Sequence, residues 1–228
     1  MNINWKLIIG KYLKVLLSSF IAGLLIGIGV TISFIIQSST ILNSGIIGPI
    51  FGVLGVLLIC LYGYNLYTFK VGYVLENKVD YLIEVLLSLL GNFIGILLIS
   101  LLLRATSLMN EGSDFLNIVN VYMSTRVNED FFSLILLSFI GGIIAYFGFN
   151  TYKKAEQPIA KFLTLFLCIG AIYICGLKEG ITDMFIYSLF KLFDGSLSLK
   201  VFYIILGNTL GTLFIPLLNK LRSKIKSV

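Results

Sequence analysis

Apolar runs of about 18 residues or more recur along this chain, each long enough to cross roughly 30 Å of hydrocarbon. No other feature restricts the fold so strongly. Inside lipid there is no water to satisfy backbone polar groups, so such runs become helices. The composition agrees. Of 228 residues, 58% are hydrophobic and 12% are charged, about half the charged share of an ordinary soluble domain. Mean hydropathy is +1.00. The expectation is an all-α, polytopic integral membrane protein, one transmembrane domain over residues 1–228 with no room for a soluble module.

Six spans can be read. They run from about Leu13 to Ile36, Ile46 to Val74 (interrupted), Val79 to Leu103, Phe131 to Asn150, Lys161 to Phe190 (again interrupted) and Lys200 to Leu218. A polar connection, Ala105 to Asp130, joins the third span to the fourth. The first apolar stretch is too long for a signal-peptide core and lacks a small-residue cleavage pattern. The net charge of +6 would point to nucleic acid in a soluble protein. Here the basic residues sit at span ends and orient the chain instead. Lys6, Lys11 and Lys14, then Lys153, Lys154 and Lys161, then Lys220, Arg222, Lys224 and Lys226 all fall on one side when the spans are even in number. That side is read as cytoplasmic, which puts both termini inside a cell (inner or plasma) membrane.

Several chemistries drop out. With no histidine in the chain, most zinc and haem sites and the Ser-His-Asp triad are excluded. Cys60, Cys168 and Cys175 lie in apolar context without CxxC spacing and read as packing residues. No cofactor or metal is expected.

Two pentapeptides of the form G-N-x-x-G match: Gly91-Asn92-Phe93-Ile94-Gly95 and Gly207-Asn208-Thr209-Leu210-Gly211. Each follows, by roughly thirty residues, a polar interruption in the span before it: Gly63 to Lys70 and Gly176 to Asp183. Each half therefore reads as whole span, broken span, G-N-x-x-G span. Repeat one covers about 11–104 and repeat two about 131–220. Three spans is an odd number, so the halves sit inverted, and glycine-interrupted spans in matching places point to a transport site near the midplane. The glycines alone fit simple helix packing. The asparagines need more, because an amide in hydrocarbon requires partners, and a broken span offers freed backbone groups. Asn92 and Asn208 are read as fixed polar supports.

Ionisable groups at membrane depth are functional candidates by default. Lys70, Lys178, Glu179 and Asp183 fall in or beside the breaks, and Glu179 and Asp183, four apart, share a face of any helix there. The plainer alternative is that these four pair with one another and only hold the broken helices together. Glu76, Lys78, Asp80 and Lys200 read as solvated interfacial charges. Trp5, Tyr12, Tyr122 and Phe131 read as interfacial aromatics.

Four segments, in order and spread over nearly the whole chain, resemble the formate/nitrite transporter family. Gly63-Tyr64-Asn65-Leu66-Tyr67-Thr68 is similar to its G-A-[DE]-L-F-T, and Gly176 to Phe185 is similar to its G-F-E-H-S-x-A-N-M-F. The two G-N-x-x-G segments match its third and sixth spans. The resemblance implies an aquaporin-like protomer in a homopentamer, with one pore per protomer passing small monovalent anions such as formate, nitrite or hydrosulfide, often with a proton. It places Thr68 on a mobile loop at the pore centre, and Leu66 and Tyr67 at the cytoplasmic constriction.

The departures alter the chemistry. The family's central histidine is Glu179, its preceding glutamate is Lys178, its asparagine four residues on is Asp183, and Lys70 stands where a small polar residue is usual. Two arrangements follow. In the first, Lys70 pairs with Glu179 and draws a weak-acid anion, since a lysine within about 4–6 Å favours the charged carboxylate. In the second, Lys70 points away, Glu179 and Asp183 face the lumen, and the pore takes a small cation such as ammonium. A membrane enzyme using Glu179 and Asp183 as an acid–base pair lacks the usual accompanying residues and needs no symmetric repeat. A purely structural scaffold is the remaining alternative.

Overall fold

The computed structural model describes residues 5–190 and 195–225, and within them the chain is helical without any β-strand. Lys226 and the Trp5 side chain, both given roles above, lie outside the described residues. The helices are α1 (Trp5–Gln37), α2 (Ser44–Tyr62), α3 (Tyr67–Val71), α4 (Tyr81–Arg104), α5 (Asp114–Asn128), α6 (Phe131–Lys154), α7 (Pro158–Ile174), α8 (Gly180–Phe190) and α9 (Gly195–Arg222). Among the described residues five are long and apolar enough to cross a membrane: Lys6–Gln37, Ser44–Tyr62, Tyr81–Arg104, Phe131–Lys154 and Ser198–Arg222. The segment read as an interrupted fifth span forms two shorter apolar helices, α7 and α8.

The chain punctuates itself where glycine permits. α2 stops at Gly63 and α7 stops just before Gly176, both with φ +68°, a conformation that strains any residue with a Cβ. Each stop is sealed in the same way. Tyr64 N–H donates to the Ile59 carbonyl at 3.0 Å, and Leu177 N–H donates to the Ile172 carbonyl at 3.0 Å. These are the 6→1 bonds of a Schellman terminus. The second helix therefore ends at Tyr62 and does not run on toward Val74. Elsewhere side chains set the starts. Ser113 accepts from Leu116 N–H, and Asp130 accepts from Phe132 and Ser133 N–H. Pro158 opens α7 where no N–H is needed.

α4 and α2 pack on α1, while α9 and α7 pack on α6. Both G-N-x-x-G segments lie at such a crossing. A Cβ on Gly95 would press on the Phe20 carbonyl and Leu24 nitrogen of α1, and one on Gly211 would press on the Phe139 backbone of α6. Backbone meets backbone at these points, and dispersion contacts rather than solvent exclusion hold helices together in lipid. Gly95→Val is expected to lower folding stability by roughly 1–3 kcal/mol, the usual cost of overpacking, read as a lower melting temperature of the protein in detergent.

The connection Ala105 to Asp130, expected as a polar loop, contains the 15-residue helix α5. It buries Phe115, Val119, Met123 and Arg126, one residue per turn, against α1 and α8. Glu76, Lys78 and Asp80 are exposed, as expected of interfacial charges. Lys200 differs: it is half-buried and donates to the Val127 and Glu129 carbonyls at 2.8 and 2.7 Å. Tyr122, read above as an interfacial aromatic, is half-buried. Its ring packs on Phe34 at 4.7 Å between centroids, and its hydroxyl donates to Gln37 Oε1 at 3.0 Å.

Candidate functional site

The two interruptions come together. After Gly63 the chain runs through Asn65 and an extended Leu66 into α3, whose first N–H groups have no partner within so short a helix. Asn92, fully buried in α4, supplies one: Tyr67 N–H donates to Asn92 Oδ1 at 2.8 Å. The same amide donates to the Ser19 carbonyl at 2.7 Å and to the Asn65 carbonyl at 3.1 Å. One side chain thus ties α1, the interruption and α3 together. The Tyr67 hydroxyl reaches Thr209 Oγ1 of α9 at 2.9 Å. Leu66 and Tyr67 are both buried.

At the second interruption Glu179 precedes α8 and caps it. Its Oε2 accepts from Thr182 N–H at 2.8 Å, and its own N–H donates to Asp183 Oδ2 at 2.8 Å. This reciprocal pattern is a capping box shifted by one residue at its acidic end. The other carboxylate oxygen, Oε1, accepts from the Thr68 hydroxyl at 2.6 Å. Thr68 and Glu179, one from each interruption, meet directly and are 1% and 6% exposed.

The four ionisable candidates do not form one cluster. Lys70 does not pair with Glu179; its ammonium binds Glu84 at 2.8 Å and lies 4.9 Å from the Tyr81 ring centre. Glu84 also binds Lys11, at 2.7 Å. α3 is a little over one turn long, so with Thr68 turned toward Glu179, Lys70 two positions later points elsewhere. Asp183 is paired with Arg126 of α5, whose guanidinium also donates to the Tyr122 carbonyl at 3.1 Å. Lys178 lies 3.5 Å from Glu129 and 3.3 Å from the Gly176 carbonyl. Among the described residues no cation lies within 4.0 Å of the Glu179 carboxylate. Asn208 is buried like Asn92, but its amide nitrogen has no hydrogen-bond partner, so it is the weaker support of the two.

Arg126 and Glu84 went unnoticed as site residues in the sequence. The signal for Arg126 was its register with Phe115, Val119 and Met123. For Glu84 it was an acid in the first turn of an otherwise apolar run.

Two cavities approach this meeting point from opposite ends. One, about 30 Å³, is lined by Glu179, Asp183, Arg126, Tyr122, Tyr173 and Phe34 among others. The other, about 350 Å³, is lined by Leu66, Lys70, Tyr73, Tyr81, Phe149 and Lys153 among others. Leu66 lines the larger and Glu179 the smaller, and Thr68, two residues from Leu66, holds Glu179 at 2.6 Å. The charges differ in sign. The smaller is lined by one cation, Arg126, and two carboxylates, Glu179 and Asp183. The larger is lined by Lys70 and Lys153, with no carboxylate among its lining residues. The described residues gather no group of three metal-ligating side chains.

A family model described as formate/nitrite transporter matches residues 6–220. Among solved structures, a pentameric formate channel with formate bound shares 17% identity with a TM-score of 0.79, covering 94% of this chain and 98% of that one. An FNT family ion channel shares 17% identity with a TM-score of 0.80, covering 93% of this chain and 91% of that one. At such identities the likeness is one of fold. No curated protein matches the chain.

Proposed function

The chain belongs to the formate/nitrite transporter family, a family of membrane channels and transporters rather than enzymes, and on that premise we propose that it is a pore for a small monovalent ion, with Thr68 and Glu179 at its centre. Leu66 and Tyr67 form the constriction on the Lys70 side, and Asp183 lines the approach from the α5 side. Lys178, adjacent to Glu179 in the chain and 3.5 Å from Glu129, stands beside that approach. The architecture proposed is two inverted repeats, about 11–104 and 131–220, whose second and fifth spans are broken. The twin glycine stops at φ +68° and the twin G-N-x-x-G crossings support it. A homopentamer is proposed from the likeness to the pentameric formate channel. The Lys/Arg bias supports a cell membrane with both termini cytoplasmic, so the α5 cavity opens outward and the Lys70 cavity inward.

One observation carries the choice of ion: both oxygens of the central carboxylate accept hydrogen bonds, and no described cation balances it. A cation about 4 Å from that charge gains roughly 4 kcal/mol at an effective dielectric near 20, and an anion loses as much. The proposed ion is therefore ammonium, which donates to Glu179 and to the lone pairs that Thr68 keeps after giving its one proton away. Family membership and the lysines of the inner cavity favour the second reading, a weak-acid anion such as formate, nitrite or hydrosulfide.

Flux into liposomes holding the purified protein separates the two. Ammonium uptake well above that of protein-free liposomes is expected, with formate, nitrite and hydrosulfide uptake lower. Anion uptake without ammonium uptake would overturn the cation reading.

A further inference from the structure

Arg126 is a long cationic side chain buried to 5% exposure, and the one carboxylate it pairs with is Asp183, itself 1% exposed. It comes from α5, an element outside the apolar spans. Tyr122 and Phe34 pack as one wall of the small outer cavity, and Arg126, Asp183 and Glu179 line the same space. A volume of about 30 Å³ holds about one water. The guanidinium therefore occupies Asp183 within the same space that Glu179 lines.

We propose that Asp183 is the outer cation-binding site of this pore, and that Arg126 is a tethered occupant which an incoming ammonium ion must displace. This rests on the cation reading above. Both ligands are donors of planar or tetrahedral N–H groups to the same carboxylate, so the exchange swaps one charge-assisted hydrogen bond for another. Asp183 Oδ2 stays on the Glu179 N–H during the exchange, and only Oδ1 changes partner. Around Arg126 the C-terminal part of α5 is held by the Tyr122–Gln37 bond and the Lys200 bonds to Val127 and Glu129, at part-exposed or exposed positions, while Phe115, Val119 and Met123 keep the helix itself anchored. Arg126 is then a specificity-determining residue: only a cation small enough to enter this space and able to donate hydrogen bonds can replace it.

The experiment is ammonium uptake against concentration in proteoliposomes, for the wild type, Arg126→Gln and Arg126→Lys. An occupied site weakens apparent affinity by the fraction of molecules left competent. Removing a tether that holds the site at least nine-tenths of the time is expected to lower half-saturating ammonium about tenfold. Arg126→Lys is expected to fall between the two. Wild-type ammonium flux with half-saturation unmoved, or raised, in Arg126→Gln overturns the inference and leaves the cation reading standing. Anion flux with no ammonium flux in any form sinks the cation reading and this inference with it. Should Arg126→Gln fail to assemble, Tyr122→Phe loosens α5 while keeping every charge. It is expected to lower half-saturation in the same direction, and no change there counts against the tether.

Discussion

Replacing Glu179 with glutamine is expected to cut ammonium flux about 100-fold while leaving the protein folded. The hydrogen bonds explain why the fold survives. Glutamine can turn its carbonyl oxygen to Thr182 N–H, keeping the cap on α8, and its amide nitrogen to Thr68, whose hydroxyl accepts as readily as it donates. What disappears is the charge. A hundredfold is about 2.7 kcal/mol, well inside the roughly 4 kcal/mol that two unit charges exchange at 4 Å with an effective dielectric near 20. Flux and thermal stability are both measured, and the melting temperature is expected to move by only a few degrees. The sign of a second measurement discriminates further. If the carboxylate repels a weak-acid anion, formate entry in Glu179→Gln rises above the wild type. Ammonium flux unchanged by the substitution would remove the carboxylate from the pathway altogether.

The reach of the sequence differs between backbone and side chains. Spans, glycine stops and the packing of G-N-x-x-G follow from local rules, because lipid forces helices and a positive φ forces glycine. Glu179 was also visible, as an ionisable group in a broken apolar run, and Thr68 through the resemblance to the family's G-A-[DE]-L-F-T segment. Their direct contact was not. Lys70 was the more obvious partner for an acid by charge, yet the turn of α3 sends it to Glu84. Which acid a lysine finds depends on how α1, α3 and α4 converge, and no spacing along the chain encodes that. Arg126 was hidden for another reason. α5 carries too many polar residues to look like a buried element, and its inward face is a single stripe of Phe115, Val119, Met123 and Arg126. Polar composition marked the segment as a connection, while the fold packs its one apolar stripe inward and sets Arg126 on Asp183.

Asn92→Ala is expected to cost about 2–4 kcal/mol of stability and to lower flux at least tenfold in whatever protein still folds. The amide is fully buried and makes three bonds, all to backbone. Ser19 lies inside α1, so its carbonyl keeps a helical partner when the amide is removed. The Tyr67 N–H and the Asn65 carbonyl belong to the interruption and are left with nothing. Each buried unsatisfied group costs roughly 1–3 kcal/mol in water-soluble proteins, and single polar contacts between membrane helices average nearer 0.6 kcal/mol. The sum falls between those limits. The functional loss has a shorter cause. Tyr67 and Thr68 are neighbours at the start of α3, so freeing the Tyr67 N–H lets the hydroxyl of Thr68 drift off the Glu179 oxygen it holds at 2.6 Å. Positioning of that kind fails with shifts of about half an ångström. Asn208→Ala is the control from the same pentapeptide in the other half. Its amide nitrogen has no partner to lose, so the substitution is expected to cost less stability and less flux. Melting temperatures and uptake rates of the two variants, measured side by side, decide it. A larger loss in Asn208→Ala than in Asn92→Ala would mean that the weight of the pore rests on the α8 interruption, not on the short helix that carries Thr68.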